Sequence, residues 1–204
     1  MKHTIMSYAH SYKAIYFMLL VVLFLNLISS CKTESSETKP EEKEVTEKDE
    51  LYHYESFSLV PFGINAFLFL PDETANIGVT EPSVNHEMDS FKWLITLSKD
   101  FVLRIDDWGQ DDGIAVQKRI MEDHKNIFDI EVISATDTTL AYKQMVKTYD
   151  EKQKEEKALY FYFHSHKIDG VNYVFGTDPT GAPAEIYQYI KTSASNVEEI
   201  LITK

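Results

Sequence analysis

The chain contains few of the residues from which catalytic motifs and covalent cross-links are built. Its 204 residues include one cysteine, Cys31, and seven glycines. A single thiol has no partner for an intramolecular disulfide, so the fold must be stable through packing and hydrogen bonds. Gly-x-Ser-x-Gly and phosphate-binding glycine-rich motifs are both missing from the sequence. Their absence excludes the common serine-hydrolase elbow and the P-loop.

Long hydrophobic segments are missing as well. The longest apolar stretch, residues 14–28, holds fifteen residues with one asparagine inside it, whereas a transmembrane helix needs roughly 20. Two lysines precede this stretch and two serines follow it. A charged start, a short apolar core and small residues at the break are typical of a secretory signal peptide, which we assign to residues 1–30. An uncleaved N-terminal anchor is the alternative.

The four residues Ile28-Ser29-Ser30-Cys31 resemble the lipobox of bacterial lipoproteins. This resemblance implies cleavage before Cys31, a diacylglyceryl group on its sulfur, and an acyl group such as palmitate on its nitrogen. Two such chains anchor a protein stably in a membrane. Lys32 occupies the position where aspartate favours the inner membrane. The resemblance therefore implies the outer membrane of the cell envelope, on its periplasmic or its surface side.

A strongly polar segment follows the cysteine. Residues 32–50 read KTESSETKPEEKEVTEKDE, in which Val45 is the only apolar residue. Such a segment buries too little apolar surface to offset the entropy lost on ordering. We therefore predict that residues 31–50 form the lipidated cysteine and a disordered acidic tether. The acidic residues also resemble the surface-export signals of Bacteroidota-type lipoproteins, which is the functional alternative for this segment.

Residues 51–204 have the length of a single globular domain. Within them are 14 lysines and arginines and 25 aspartates and glutamates, which gives a net charge of 14 − 25 = −11. An excess of this size repels phosphate backbones and anionic head groups. We therefore expect no nucleic-acid partner and no direct attraction of the domain to an anionic membrane surface. We also expect no cofactor, because no cofactor-binding motif is present.

Alternating apolar residues predict antiparallel hairpins. Residues 93–97 and 101–105 each place a large apolar side chain at every second position. A three-residue turn, Ser98-Lys99-Asp100, pairs these apolar positions with each other, whereas a two-residue turn would pair them with polar ones. Asp169-Gly170 is the strongest hairpin signal of the chain and separates strands predicted at residues 158–167 and 171–177.

Helical periodicity occurs in two places and sets the fold class. One helix is predicted to open at Asp111-Asp112, the other near Pro183, which suits a first turn. Their predicted apolar stripes are Ile120, Met121, His124 and Ile127 in the first helix, and Ile186, Tyr187, Ile190 and Ala194 in the second. Further strands are predicted at 57–60, 65–70, 130–133 and 140–145, and residues 74–90 are predicted as loop. The prediction is an α+β fold, with an antiparallel sheet of six to eight strands and at least two helices packed on it.

The run Ile168-Asp169-Gly170-Val171-Asn172-Tyr173, followed by a closing helix, is similar to the PsbP-like fold. The similar region covers about residues 57–195. Some bacterial lipoproteins share this fold, and its members mostly bind or assemble other molecules. The resemblance implies binding rather than catalysis, although a fold alone does not fix a function.

Two histidines form the first candidate site. His164 and His166 are two residues apart on a predicted strand, so their side chains share one face of the sheet with Tyr162. Tyr173 is expected opposite His166 across the Asp-Gly turn. Imidazole is a zinc ligand, and the pair makes a half-site for which the sequence identifies no third ligand. The alternative is a partly covered aromatic and histidine surface without a metal.

An acidic cluster forms the second candidate site. Four carboxylates surround a tryptophan in the segment Asp106-Asp107-Trp108-Gly109-Gln110-Asp111-Asp112. Such a cluster suits calcium or a sugar, or the carboxylate pair of a glycoside hydrolase. The structural alternative is that Asp111 or Asp112 caps the following helix. The residues selected as a possible binding surface are Asp106, Asp107, Trp108, Tyr162 and Tyr173.

The sequence favours a non-enzymatic, membrane-anchored bacterial lipoprotein that binds a protein or another envelope component. The alternative is an envelope hydrolase, metal-dependent or carboxylate-based, that uses the two histidines and the acidic cluster. A pocket joining these residues would favour the enzyme. An exposed tyrosine-rich patch would favour the binding protein, and the tyrosines considered for it are Tyr52, Tyr54, Tyr187 and Tyr189.

Overall fold

The computed structural model describes residues 51–148 and 157–200. The predicted signal peptide at residues 1–30 and the predicted lipidated cysteine and tether at residues 31–50 lie outside the described residues. Most of the charged segment at residues 147–157 also lies outside them. None of the helices in the described part of the chain is long and apolar enough to cross a bilayer.

The described residues form ten strands and two α-helices. The strands before the first helix are β1 (Tyr54–Ser58), β2 (Ala66–Pro71), β3 (Ser83–Glu87), β4 (Lys92–Thr96) and β5 (Val102–Asp107). The first helix, α1 (Gly113–His124), is followed by β6 (Phe128–Ala135), β7 (Thr139–Val146), β8 (Leu159–Ile168) and β9 (Val171–Thr177). The second helix, α2 (Ala184–Ser195), is followed by β10 (Val197–Glu199).

Two antiparallel sheets account for these strands. The large sheet has seven strands in the order β3-β4-β5-β9-β8-β7-β6, and the small sheet has three in the order β1-β2-β10. Every pairing between strands is antiparallel. These observations confirm the predicted α+β class and the predicted size of the main sheet. The second sheet was not predicted.

The helices cover opposite faces of the large sheet. α2 packs against β5, β8 and β9 of the large sheet and against β2 of the small sheet, so it lies between the two sheets. α1 packs against β6 to β9. Phe175 belongs to the core beneath α2 and Val174 to the core beneath α1, as the alternation of side chains along a strand requires. We call these two surfaces the α2 face and the α1 face.

Both predicted hairpin registers are confirmed. Trp93 pairs with Ile105 and Ile95 with Leu103 across the β4–β5 turn. His166 pairs with Tyr173 and His164 with Phe175 across the β8–β9 turn. In that second turn Asp169 and Gly170 have φ angles of 49° and 84°, the left-handed backbone that makes the Asp-Gly pair suitable for a two-residue turn.

The apolar stripe of α2 was predicted correctly, whereas the stripe predicted for α1 is correct for Met121 and wrong for Ile120 and Ile127. Ile186, Tyr187, Ile190 and Ala194 are all buried. In α1 the buried residues are Gly113, Ile114, Gln117 and Met121, while Ile120 and the downstream Ile127 are exposed. The helix turns Ile114, Gln117 and Met121 towards the sheet, and it ends at His124, so Ile127 lies beyond the helix. At the first turn Gly113 packs closely against the Trp108 indole.

Two edge strands bound the large sheet, and the sequence identified only one of them. Residues 74–90 were predicted as loop, but they contain β3, in which four of five residues are exposed. Only Val84 of this edge strand is partly buried against the core, so the strand has no alternating pattern to detect. The opposite edge is β6, where the register shifts between Val132 and Ser134, so that Ile133 forms a β-bulge.

Gly176 provides a test of the packing between β8 and β9. A Cβ at Gly176 would overlap the carbonyl oxygen of Tyr162 and lie 2.8 Å from the Phe163 ring. We expect Gly176→Ala to lower the free energy of unfolding by about 3 kcal/mol, because the two strands must separate to accept the methyl group. Chemical denaturation of the purified protein measures this change.

Gly78→Ala is the matched control. Gly78 has a φ of 71° and open space around the position of a Cβ, so its alanine variant should lose only about 1 kcal/mol through the left-handed backbone. Equal losses in the two variants would contradict close packing at Gly176.

Candidate functional site

The two histidines lie beneath the C-terminal end of α2. Both project from β8 on the α2 face, where their ring centroids are 4.5 Å apart. The ring of His166 packs edge-on against Phe175, with centroids 5.3 Å apart. Each imidazole is partly buried. The sequence therefore predicted correctly that the pair shares one sheet face and has aromatic neighbours.

Each imidazole has defined hydrogen-bond partners. His166 Nε2 lies 2.8 Å from the carbonyl oxygen of Ala194. A carbonyl only accepts, so Nε2 carries the proton and donates. His164 Nδ1 lies 3.1 Å from Thr139 Oγ1 and 3.3 Å from Tyr162 Oη. The Tyr162 hydroxyl is also 2.7 Å from Ser195 Oγ. These bonds connect β7, β8 and the end of α2.

Burial keeps both rings uncharged at neutral pH. Burial, and to a smaller extent the neighbouring His166, lowers the pKa of His164 to about 4. Burial also lowers the pKa of His166, while its hydrogen bond to Ala194 acts in the opposite direction. A charged imidazole at this position would lose hydration without gaining an anionic partner. The two rings therefore act as neutral hydrogen-bonding groups.

Neutral imidazoles are suitable metal ligands, but a metal site needs more than two of them. Structural zinc is held by four protein ligands, and catalytic zinc usually by three. Within residues 51–148 and 157–200, no three His, Cys, Asp or Glu side chains come close enough together to hold a metal ion. Within the described residues, His164 and His166 thus remain a half-site.

The residues of the acidic segment are separated by the fold. Asp106 is 4% exposed and forms a bidentate ion pair with Arg104, whose Nε is 2.8 and 2.7 Å from the two carboxylate oxygens. Asp107 accepts a hydrogen bond of 2.8 Å from the backbone N–H of Gly109. Asp112 is the N-cap of α1 and accepts one of 2.9 Å from Ala115. The capping alternative is therefore correct for Asp112.

The two adjacent strand carboxylates point to opposite faces of the large sheet. Asp107 pairs with Tyr173 across β5 and β9, and Tyr173 pairs with His166 across β9 and β8. Two strand spacings separate Asp107 from His166, about 10 Å between backbones. Asp106 lies on the α1 face, on the other side of the sheet. The fold thus brings Asp107 near the histidine pair and keeps Asp106 away from it.

The aromatic residues selected as a binding surface contribute mainly to the interior. Tyr162 is 4% exposed and Tyr173 is 7% exposed. Burial, followed by the nearby charges of Asp107 and Asp169, raises the pKa of the Tyr173 hydroxyl. Trp108 is half-buried and packs on the core beneath α1. Together with the buried Asp106, these residues present little surface to a large ligand.

The tyrosines considered for an exposed patch are also separated. Tyr52 is 77% exposed, whereas Tyr187 is buried in the core between the sheets. Tyr54 and Tyr189 lie close to each other, with ring centroids 6.2 Å apart, and the Tyr189 hydroxyl donates to the Ala75 carbonyl oxygen at 3.0 Å. The expectation of exposure is therefore wrong for Tyr187.

Two clefts in the described part of the chain lie away from both candidate sites. One, of about 360 Å³, is lined by residues that include Lys99, Asp178 and Pro183. The other, of about 500 Å³, is lined by residues that include Glu55 and Glu81. Neither His164 nor His166 lines either cleft, and residues 106–112 do not line them.

A surface that the sequence indicated only through the acidic segment at residues 107–112 lies at one end of the molecule. Four segments meet there, at residues 59–65, 87–92, 107–112 and 167–170, and we call this surface the loop end. The N–H of Asp107 donates to the Phe91 carbonyl at 3.0 Å, Gln110 Nε2 to the Gly170 carbonyl at 2.8 Å, and Asn65 Nδ2 to the Asp169 carboxylate at 2.5 Å. These hydrogen bonds hold the four segments together.

The loop end exposes large apolar side chains. Met88 is 73% exposed, Phe91 is 63% exposed and Val60 is 46% exposed. Phe91 also has a left-handed backbone, with a φ of 52°. Such a conformation costs a non-glycine residue about 1–2 kcal/mol. Phenylalanine at this position therefore gains neither burial nor a relaxed backbone, and no alternation in the sequence reveals it.

Comparison with known proteins leaves the chain without an assigned family. No protein-family model matches the sequence. A search of curated proteins finds no similar sequence.

The cap of α1 can be tested directly. We expect Asp112→Ala to lower the free energy of unfolding by about 1 kcal/mol, because the Ala115 N–H loses its side-chain acceptor. Thermal or denaturant unfolding of the purified protein measures the loss. Asp111→Ala is the control, because this exposed neighbour is not the cap, and its effect should stay within about 0.5 kcal/mol. Equal effects would argue against capping by Asp112.

The histidine pair should make stability depend on pH. The folded-state pKa of His164 is about 4 and the unfolded value is about 6.5, so the unfolded chain binds more protons between these limits. The associated stability is fully present above pH 6.5 and is lost as the pH falls towards 4. Allowing for partial exposure of the ring, we expect a loss of about 2 kcal/mol.

His164→Gln isolates this contribution. The amide can still bond the Thr139 and Tyr162 hydroxyls, but it does not titrate. Urea unfolding between pH 7 and pH 4.5 should show a steeper fall for the original chain than for the variant. Parallel curves for the two proteins would show that His164 is not held neutral by the fold.

Proposed function

We propose that this protein is a lipid-anchored, non-enzymatic component of a bacterial cell envelope that binds a protein or another envelope molecule. The sequence Ile28-Ser29-Ser30-Cys31 carries the anchoring part of the proposal. An acyl group on Cys31 would hold the domain at the outer membrane, on its periplasmic or its surface side. Residues 32–50 would then act as the tether between lipid and domain.

The arrangement of the candidate residues supports binding over catalysis. Asp106 and Asp112 have structural partners, and Asp106 lies on the other sheet face from the histidines. His164 and His166 are bonded to groups of β7, β8 and α2, and neither lines either of the two clefts described above. The large apolar side chains at the loop end are accessible instead. A surface of this kind suits association with another macromolecule.

An envelope hydrolase is the less supported alternative. Its strongest feature is the row formed by Asp107, Tyr173 and His166 on the α2 face. Tyr173 stands between the carboxylate and the imidazole in this row and is itself buried. A substrate would need to reach all three beneath α2, and neither of the described clefts opens onto them.

The anchoring proposal predicts loss of membrane association in a single variant. We expect the full chain to remain with membranes after a carbonate wash and Cys31→Ser to be released, because two acyl chains provide the stable attachment. Ser30→Ala is the matched control and should remain attached, because it keeps the cysteine and a small residue before it. Retention of Cys31→Ser would contradict the lipid anchor.

Mass spectrometry of the native protein gives a second measurement of the same prediction. The mature chain should begin at Cys31 and carry the mass of a diacylglyceryl group and an acyl group. An intact Met1 without a hydrocarbon adduct would show that neither the cleavage nor the lipidation takes place.

A further inference from the structure

The loop end combines exposed apolar side chains with one sign of charge. Its four segments contain six carboxylates, at positions 87, 89, 107, 111, 112 and 169, and two lysines, at positions 92 and 167. Four of the carboxylates, at positions 87, 89, 111 and 169, are exposed, as are Met88 and Phe91. None of these four side chains accepts the capping hydrogen bond of an α-helix. The surface therefore carries exposed apolar side chains together with an excess of carboxylates over lysines.

The conformation of Phe91 is held by the surrounding backbone. Its N–H donates to the Met88 carbonyl at 3.4 Å, and its carbonyl accepts from Asp107 at 3.0 Å. Glu87 fixes the same turn, because Ser90 Oγ lies 2.9 Å from Glu87 Oε2. Glycine or asparagine would occupy this left-handed position with less strain. An aromatic ring that is held in solvent by a costly backbone conformation indicates a contact between the ring and another molecule.

The loop end faces away from the point where the described chain begins. Residues 51–53 precede β1, and β1 runs from Tyr54 towards the turn at residues 59–65. Five residues of strand place about 17 Å between its two ends. The described chain therefore begins at the end of the molecule opposite the loop end.

We propose that the loop end is the docking surface for a partner protein, which presents an apolar pocket for Phe91 and Met88 within a rim of lysine and arginine. This inference rests on the proposed function, because it names the surface and the chemistry of the partner. Charge complementarity favours such a partner, because the lysines and arginines of its rim would be attracted to the exposed carboxylates. An aromatic ring in a pocket is a common anchor of protein interfaces.

Two other occupants fit less well. A second copy would bring the same negative loop end against itself in a twofold interface, and its charges would repel. An anionic membrane surface would repel the carboxylates in the same way. Both occupants are distinguishable outcomes of the experiment below.

The test uses a photocrosslinking amino acid in the full-length chain, expressed in its native cells. Benzoylphenylalanine replaces Met88 at the loop end or, in a separate protein, the exposed Ile127, which lies outside it. We expect the probe at position 88 to give an adduct with a different protein. The partner peptide identified by mass spectrometry should carry a net positive charge and apolar residues.

Two substitutions in the Met88 probe protein examine the two parts of the surface. Phe91→Gly removes the ring and also the unfavourable backbone, so the melting temperature should stay the same or rise. Asp89→Lys reverses one exposed charge. Each should lower the adduct yield about fivefold or more, as expected for the loss of an important interface contact.

The opposite end of the molecule offers matched controls. Asn76 also has a left-handed backbone, with a φ of 56°, and Glu81 is an exposed carboxylate beside the start of β3. Asn76→Gly and Glu81→Lys should leave the adduct yield within about twofold, since neither position belongs to the loop end.

Several results would overturn the docking surface. The first is an adduct at position 88 with a second copy of the chain or with lipid alone. The second is an adduct yield that Phe91→Gly and Asp89→Lys leave unchanged. The third is the lack of any adduct at position 88. If the Ile127 probe captures a protein while the Met88 probe does not, the loop end is wrong and partner binding remains. If neither probe captures a protein, the docking surface is overturned, whereas the lipid anchor is judged separately by the carbonate wash of Cys31→Ser.

Discussion

The burial of α2 between two sheets is the interaction on which the rest of the structure depends. Its buried side chains, among them Ile186 and Ile190, belong to one core with residues from both sheets. The helix contacts both sheets and covers apolar residues of each, and the small sheet, with only three strands, gains most from this covering layer. The fold thus achieves a large core from a chain with one cysteine.

The same constraint explains the state of the two histidines. Strand β8 carries them to the face that α2 covers, and the end of that helix supplies a carbonyl to His166 and the Ser195 hydroxyl to Tyr162. The two imidazoles therefore form part of the junction between α2 and the large sheet, and their burial lowers their pKa values. The side chains that a partner can reach lie instead in the loops between strands, where no other element covers them.

The sequence was sufficient where a local pattern coincided with the tertiary environment. Alternation fixed the register of β4 with β5, because a slip would have exposed Ile95 and Leu103, and the Asp-Gly turn fixed β8 with β9. The sequence did not predict β3, in which only Val84 is partly buried, or β10, which has three residues and pairs with a strand far away in the chain. The side-by-side placement of His164 and His166 followed from their spacing. The hydrogen bonds of His166 with Ala194 and of Tyr162 with Ser195 could not be predicted, because about 30 residues intervene.

The bulge in β6 affects how neighbouring copies coexist. Among the described residues this strand is an edge of the large sheet and has exposed Val132 and Ile133, and an uninterrupted edge of this kind can pair with the edge strand of another molecule. The extra residue at Ile133 interrupts the ladder and twists the strand locally. Under the proposed attachment to a membrane, which would make encounters between copies frequent, such an interrupted edge would hinder strand pairing between molecules.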